Sequence, residues 1–365
     1  HIAVEAPPPP KNDVAAFFAP LLPAGEGALG QGAALRVSED PGDTVDVLWF
    51  IPDFGAGSGG HLNIVRFLAG LETRGLRCAL VLVGPHSHPD RATANALART
   101  YFGPFDGRLY FGGDSLPRAR VSVATSWLTA YHIRHYAAAG ARPFYFIQDY
   151  EPWFYPAGFE SRAAGDTYTF GYSCICAGDW IVRMLRDVHG VQALGHFGFS
   201  YDKALYRPSP KRDATRRVFF YARPPTARRG FELGMIALDL VGRALPDVEF
   251  VFAGWDISGY AFPHVHLNAG VLRSEELPDL YAQCDVALVL SFSNMSLLPY
   301  EVMACGCAVV TNDDPCATWG LDASVATFAP ATPAGIADAI TALLEDPGRR
   351  DAQARRALEF VDRKS

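Results

Sequence analysis

Short apolar runs alternate along the chain with segments whose apolar residues recur every three or four positions. VDVLWFI, CALVLV, RLYF, VSVATS, FYFIQ and SCICA read as buried strands. LNIVRFLAGLETRG and DRATANALARTYF between them read as amphipathic helices. The rhythm breaks at FSYDKALYRPSP (199–210), then resumes with RVFFYAR, the helix FELGMIALDLVGRALP and the strands VEFVFAG and HVHLNAG. SEELPDLYAQC, DVALVLS, a helix around PYEVMA and the strand CAVVTN complete the series. Strands that alternate with helices predict α/β domains built on parallel sheets, and the break predicts two of them. The expected layout is an extended lead-in over 1–42 with APPPP at 6–10, domains over 43–205 and 206–345, and a C-terminal helix over 346–365 that could cross back to the first domain.

Composition narrows the possibilities. A chain of 365 residues that is 49% hydrophobic and 19% charged can fill two cores. Its formal charge of −7 offers no broad basic field, so nucleic acid is not an expected partner, although a local arginine cluster could hold one phosphate group. The seven cysteines lack zinc-site spacing and sit in apolar runs, which points to core thiols in a reducing cytoplasm. No apolar run approaches the ~18–20 residues that span a bilayer.

In doubly wound sheets, ligands bind beyond the carboxyl ends of the strands, and two facing halves would enclose a cleft. The residues expected there are the glycine loop 55–60, Ser126 and Trp127, and Gln148 to Glu151 in the first half. In the second they are Arg223, Gly254 and Trp255, Gly270 to Arg273, and Ser293 to Glu301. FGAGSGGHLN carries the G-x-G-x-x-G spacing of a dinucleotide site, but Pro52, Asp53 and Phe54 separate it from the strand. The second strand also ends VLVGPHSH without the ribose-binding acid, so a nicotinamide cofactor is not expected. Gly59 and Gly60 at a helix start would instead offer N–H groups to a diphosphate, or simply form a tight turn.

GGHLNIVRFLAGLETRG, AR followed by RRG (222–230), FAGW, GVLRSEELPDLYAQCDVALVLS and NMSLLPYEVMACGCAVVTND occur in order. Together they resemble the retaining glycosyltransferases of family 4, whose fold is GT-B, two facing Rossmann-like domains with a cleft between them. YFIQDYEPWFYPAG (145–158) resembles the bacterial rhamnosyltransferases that build surface glycans from dTDP-L-rhamnose.

The resemblance implies transfer of L-rhamnose with retention and without a metal or other cofactor. Arg223 and Arg229 match the cations that hold the leaving diphosphate, at a spacing one residue longer than usual; Arg228 is an ambiguous neighbour. Glu301 matches the acid that binds the donor's ribose. Ser293 stands where the family places another glutamate, and the N–H groups around Met295 to Leu297, with Asn294 and Ser296 in the same loop, would face the diphosphate. Trp255, Val271 and Leu272 would lie against the base, and Arg273 could add a phosphate contact.

On the acceptor side, His61, Asp149, Tyr150, Glu151 and Trp153 are expected to meet a saccharide, with Asp149 or Glu151 as a base; His61 could equally contact the donor or simply cap the turn. Asp149 and Glu151 also imitate a D-x-D metal motif, but hard cations usually need more oxygen ligands. A lipid-linked saccharide acceptor would place the protein at the inner face of the cytoplasmic membrane. Further domains of the same polypeptide are compatible with this reading. Use of another sugar nucleotide, a UDP- or GDP-sugar, and a non-catalytic glycan- or nucleotide-binding role remain alternatives.

Overall fold

The computed structural model describes residues 35–137 and 140–364, with the isolated Leu21; most of the expected lead-in lies outside the described residues. The chain divides into two compact units. The first comprises 1–177 and 181–196, and the second comprises Gly178–Trp180 and the chain from Phe197 onward.

In chain order the first unit contains β1 (Arg36–Val37), β2 (Thr44–Ile51), α1 (Gly59–Glu72), β3 (Cys78–Leu82), α2 (Arg91–Phe102), β4 (Arg108–Phe111), β5 (Ser115–Leu116) and β6 (Arg118–Ala124). They are followed by α3 (Trp127–Ala137), β7 (Arg142–Ile147), α4 (Phe159–Asp166), β8 (Ser173–Ala177), α5 (Asp179–His189) and β9 (Gly195–Phe197), with Asp179, Trp180 and Phe197 counted in the second unit. The main sheet has the order β4-β3-β2-β6-β7-β8-β9, and its pairs from β4 through β8 are parallel. All five residues of β3 are buried, as expected for a strand covered on both faces. A second small sheet pairs β1 with β5, so the end of the expected lead-in contributes a strand.

The second unit contains β10 (Arg217–Tyr221), α6 (Phe231–Ala244), β11 (Glu249–Ala253), β12 (His266–Gly270), α7 (Leu277–Ala282), β13 (Val286–Leu288) and α8 (Leu298–Ala304). β14 (Ala308–Asn312), α9 (Pro315–Thr318), β15 (Ala326–Ala329), α10 (Pro333–Glu345) and α11 (Pro347–Asp362) complete it. Its six strands are parallel in the order β12-β11-β10-β13-β14-β15. Helices α6 and α10 bury Leu238, Val241, Ile336 and Ile340 against Phe220, Phe250 and Val310 of the sheet. Helix α11 packs on α8 and β14.

Ion pairs gather at the amino ends of these strands. Asp285, just before β13, meets Lys211 at 2.7 Å and Arg350 at 3.6 Å, and accepts the Arg217 N–H at 2.8 Å. The Arg217 guanidinium bridges Asp213 and Glu249, both at 2.9 Å. This cluster anchors the stretch before β10 to the sheet.

All seven cysteines are buried and free of disulfides. Burial pushes the thiols of Cys78, Cys284 and Cys305 up to about 12, so they stay protonated and act as small apolar groups. Among the described residues no helix is long and apolar enough to cross a membrane.

Candidate functional site

Each unit gathers its candidate residues beyond the carboxyl ends of its strands. In the first, the chain leaves β2 through Pro52 to Ser58 and enters α1 at Gly59. Gly57 has φ of +76°, in the left-handed region that glycine tolerates best. Gly59 and Gly60 need no such freedom; both are exposed, and no heavy atom lies within 4 Å of a Cβ built on Gly59. The first turn of α1 therefore keeps an open surface.

His61 is oriented inward. The Ser58 hydroxyl lies 2.7 Å from its Nδ1 and the Pro52 carbonyl 3.3 Å from its Nε2. The carbonyl can only accept, so Nε2 carries the proton and Nδ1 accepts from Ser58. Packed beside Phe54 and Phe102, the half-buried imidazole is held neutral, its pKa lowered to about 4 chiefly by desolvation. Both ring nitrogens are engaged in holding the turn, the alternative to a contact with donor or acceptor. A group with a lowered pKa takes up its proton on unfolding below about pH 6.5. His61 should therefore cost the fold about 2–3 kcal/mol as pH falls from 6.5 towards 4. His61→Gln should flatten that part of the pH-stability profile in urea titrations, and an unchanged profile would disprove the assignment.

The QDYE segment follows β7. The Gln148 amide donates to the Gly60 carbonyl at 3.0 Å and accepts from Asn63 at 3.1 Å, tying the start of α1 to the end of β7. Asn63 was not legible as a site residue, because within the sequence it is one polar position in an apolar helix. Asp149 accepts its neighbour's N–H, from Tyr150, at 2.8 Å and remains partly accessible. Trp153 is 47% exposed and packs edge-on against Tyr150.

Tyr150 and Glu151 depart from expectation. Tyr150 is buried, with its hydroxyl 2.8 Å from His189 Nε2 and its ring stacked on Tyr168. Desolvation raises its pKa. Glu151 is only 5% exposed, and its Oε2 accepts the Trp127 N–H at 2.6 Å. This carboxylate caps α3, where the helix dipole favours a negative charge. The acidic pair is thus split between solvent and interior. Tyr150 and Glu151 are thus enclosed in this arrangement, away from where a saccharide was expected to meet them.

Asp53 and His88, after β2 and β3, form a pair at 3.2 Å that the sequence reading missed. Their positions directly after strands were the available signal.

In the second unit Arg223 follows β10. Its Nη1 is 3.5 Å from the Gly254 carbonyl, and its guanidinium lies 6.0 Å from the centre of the Trp255 ring. Successive turns carry the chain to Arg229: Thr226 N–H donates to the Arg223 carbonyl at 2.9 Å, and Arg229 N–H to the Thr226 carbonyl at 2.8 Å. The Arg229 Nη1 donates to the Ser291 hydroxyl at 3.0 Å and the Asn294 carbonyl at 3.3 Å. One strand end and the loop after β13 thus share a cation. Glu301 lies in the first turn of α8 and is partly accessible.

The loop after β13 is more enclosed than expected. Ser293 and Asn294 are fully buried, and Met295 and Leu297 nearly so. The Met295 N–H donates to the Cys316 carbonyl at 2.8 Å, so it is not presented to a diphosphate. The Ser296 hydroxyl accepts the Leu298 N–H at 3.4 Å. The Ser293 hydroxyl is enclosed without a hydrogen-bond partner, which removes it from direct contact with a sugar in this arrangement. Ser293→Ala should leave stability within about 1 kcal/mol of wild type, since deleting an unsatisfied polar group removes its desolvation penalty. A large loss in urea denaturation would show that the hydroxyl has a partner after all.

After β12, Val271 is exposed, whereas Leu272 lines a groove of about 520 Å³ with Arg217, Glu249, Phe250, Leu267 and Leu280. Arg223, Arg229 and Glu301 do not line it. Arg273 is turned onto Glu276, 3.2 Å from its Nε, and a phosphate would have to compete with that carboxylate.

The comparisons with known proteins agree with this layout. Residues 216–341 match the family model described as "WsaF, C-terminal domain". O-antigen biosynthesis protein RfbC of Myxococcus xanthus is 35% identical over 350 residues, covering 91% of this chain; the match spans 27% of that protein, about a quarter of its length. Among solved structures, sucrose-phosphate synthase from Thermosynechococcus elongatus has a TM-score of 0.66 at 13% identity, covering 88% of this chain and 94% of its own. Anabaena HepE, in complex with UDP and glucose, has a TM-score of 0.65 at 15% identity, covering 88% and 95%. The fold is the GT-B fold of glycosyltransferases, two Rossmann-like α/β units on parallel sheets.

Proposed function

We propose that the chain is a glycosyltransferase of bacterial polysaccharide synthesis that transfers L-rhamnose from dTDP-L-rhamnose to a saccharide hydroxyl, with retention and without a metal. The observation that carries the reading is the Arg229 guanidinium held by Ser291 and Asn294 at the carboxyl edge of the second sheet, two short turns from Arg223. The match to a protein of O-antigen biosynthesis and the GT-B neighbour solved with UDP and glucose support a nucleotide-sugar donor. The QDYEPW segment favours rhamnose among the sugars.

In this reaction the bond from the anomeric carbon to the diphosphate oxygen breaks, and the diphosphate leaves with the electron pair. The acceptor oxygen bonds to the same face of the carbon and its proton passes to the departing phosphate oxygen. Arg223 and Arg229 stabilise the charge that develops there, a role for which a planar, multiply donating cation is suited. Glu301 holds the ribose hydroxyls, and Trp255 and Val271 flank the base. Asp149 and Trp153 serve the acceptor, with the Trp153 face as a platform for a sugar ring. A lipid-linked acceptor would bring the protein to the inner face of the cytoplasmic membrane.

Thermal stability measured with dTDP-rhamnose, dTDP, UDP, GDP and NAD, each with EDTA or Mg²⁺, tests the donor. Stabilisation by dTDP and its rhamnoside that survives EDTA is expected. Dependence on Mg²⁺ would overturn the metal-free mechanism, and a response confined to UDP or GDP would overturn the donor. An NMR assignment showing an inverted anomeric centre in the product would overturn retention.

A further inference from the structure

Two tryptophans distant in sequence donate to consecutive residues of the loop after β13. The Trp180 Nε1–H meets the Ser293 carbonyl at 2.9 Å, and the Trp319 Nε1–H meets the Asn294 side-chain oxygen at 2.6 Å. Ser293 and Asn294 are both fully buried, and the two bonds are partly shielded from solvent. The Asn294 carbonyl receives the Ser291 hydroxyl and the Arg229 Nη1. Asn312 closes the base of the loop, accepting the Ser291 N–H at 2.9 Å and donating to the Ser291 carbonyl at 2.7 Å. A continuous hydrogen-bonded path therefore runs from the Trp319 indole through Asn294 to the Arg229 guanidinium.

The backbone around Trp319 is shaped to seat its ring. Gly178 has φ of +91°, and a Cβ there would come within 2.4 Å of the Trp319 ring. Phe199 packs against the same ring with centroids 5.7 Å apart. The segment Gly178–Trp180 clusters with the second unit, so Gly178, Trp180 and Trp319 all belong to the body that carries Arg229.

We propose that Trp180 and Trp319 are positioning residues for nucleoside diphosphate binding, their indole N–H groups fixing the Ser293–Asn294 segment and thereby the orientation of Arg229. This inference rests on the donor reading above and extends it to two residues outside the expected site. An indole offers one donor on a rigid plate, so it locks a peptide segment at little entropic cost. Cations fixed before the ligand arrives bind a diphosphate better than mobile ones.

Calorimetric titration of dTDP and UDP into the full chain provides the test, using wild type, Trp180→Phe, Trp319→Phe, Arg229→Ala and the Trp319→Phe/Arg229→Ala double variant. Phenylalanine keeps most of the ring packing and removes the donor. Each tryptophan variant is expected to weaken nucleotide binding by about fivefold with little change in melting temperature. In the Arg229→Ala background the Trp319 effect should fall below about twofold, because the path ends at that cation. Wild-type affinity in both tryptophan variants, or an undiminished Trp319 effect without Arg229, would overturn the proposal. Should Trp319→Phe fail to fold, Trp180→Phe decides alone. Wild type binding neither nucleotide would instead remove the donor reading, and the inference with it.

Discussion

Replacing Arg229 with alanine is expected to slow sugar transfer by about 10²–10³-fold, the scale of losing one preorganised group that stabilises developing charge. The argument begins with its anchoring. Ser291 and Asn294 engage Nη1 and so set the direction of the planar guanidinium. A lysine at the same position would keep the charge but lose the fork, so Arg229→Lys should recover only part of the rate. The two lost hydrogen bonds should cost about 1–2 kcal/mol of stability. Initial rates and thermal melts on the same preparations separate the effects. A rate loss smaller than about tenfold in a folded Arg229→Ala variant would remove Arg229 from the diphosphate site.

Glu151 offers the opposite contrast. Glu151→Ala is expected to destabilise the protein by about 3 kcal/mol, since the Trp127 N–H at the start of α3 loses a buried, charged acceptor and a small void remains. Glu151→Gln retains an oxygen for that N–H and should lose roughly half as much. In both variants that fold, the rate of transfer should stay close to wild type. A Glu151→Gln protein with intact stability and a collapsed rate would restore the acceptor-side role that the burial of this carboxylate argues against. Urea denaturation beside initial-rate measurements distinguishes these outcomes.

Much of the framework was legible from periodicity. The apolar runs from VDVLWFI to CAVVTN became strands because both faces of each sheet are covered, which gives continuous rather than alternating apolar residues. Helix α3 was not foreseen: WLTAYHIRHYA is rich in β-branched and aromatic residues and carries a weak helical signal of its own. Its start is fixed by tertiary partners instead, Glu151 at Trp127 and the Thr129 hydroxyl at Thr125 and Ser126. Strand β15 is only four residues long and Ala-rich, too short to show a period, whereas helix α10 carries Ile336, Ile340, Leu343 and Leu344 at helical spacing.

The site divided along similar lines. Arg223 and Trp255 lie just after strands, where the sequence places them, and Arg229, singled out by the resemblance, lies in the turn before α6. What a linear reading could not supply was direction. Glu151, Tyr150 and Ser293 follow strands as expected, but their side chains turn inward, to partners 24 and 39 residues away for Glu151 and Tyr150 and into an enclosed space for Ser293. The Trp180 and Trp319 contacts link positions that no short motif could connect.

The second unit keeps its ion pairs around Asp285 and Arg217 at one edge of its sheet, and the held arginine at the other. Tolerance to change should therefore be polarised along a single set of strands. Substitutions at the amino edge would be felt as altered abundance of folded protein, and those at the carboxyl edge as altered chemistry. Such a separation leaves the loops after β10, β11 and β13 room to acquire a different donor preference without loosening the anchorage that keeps the sheet intact.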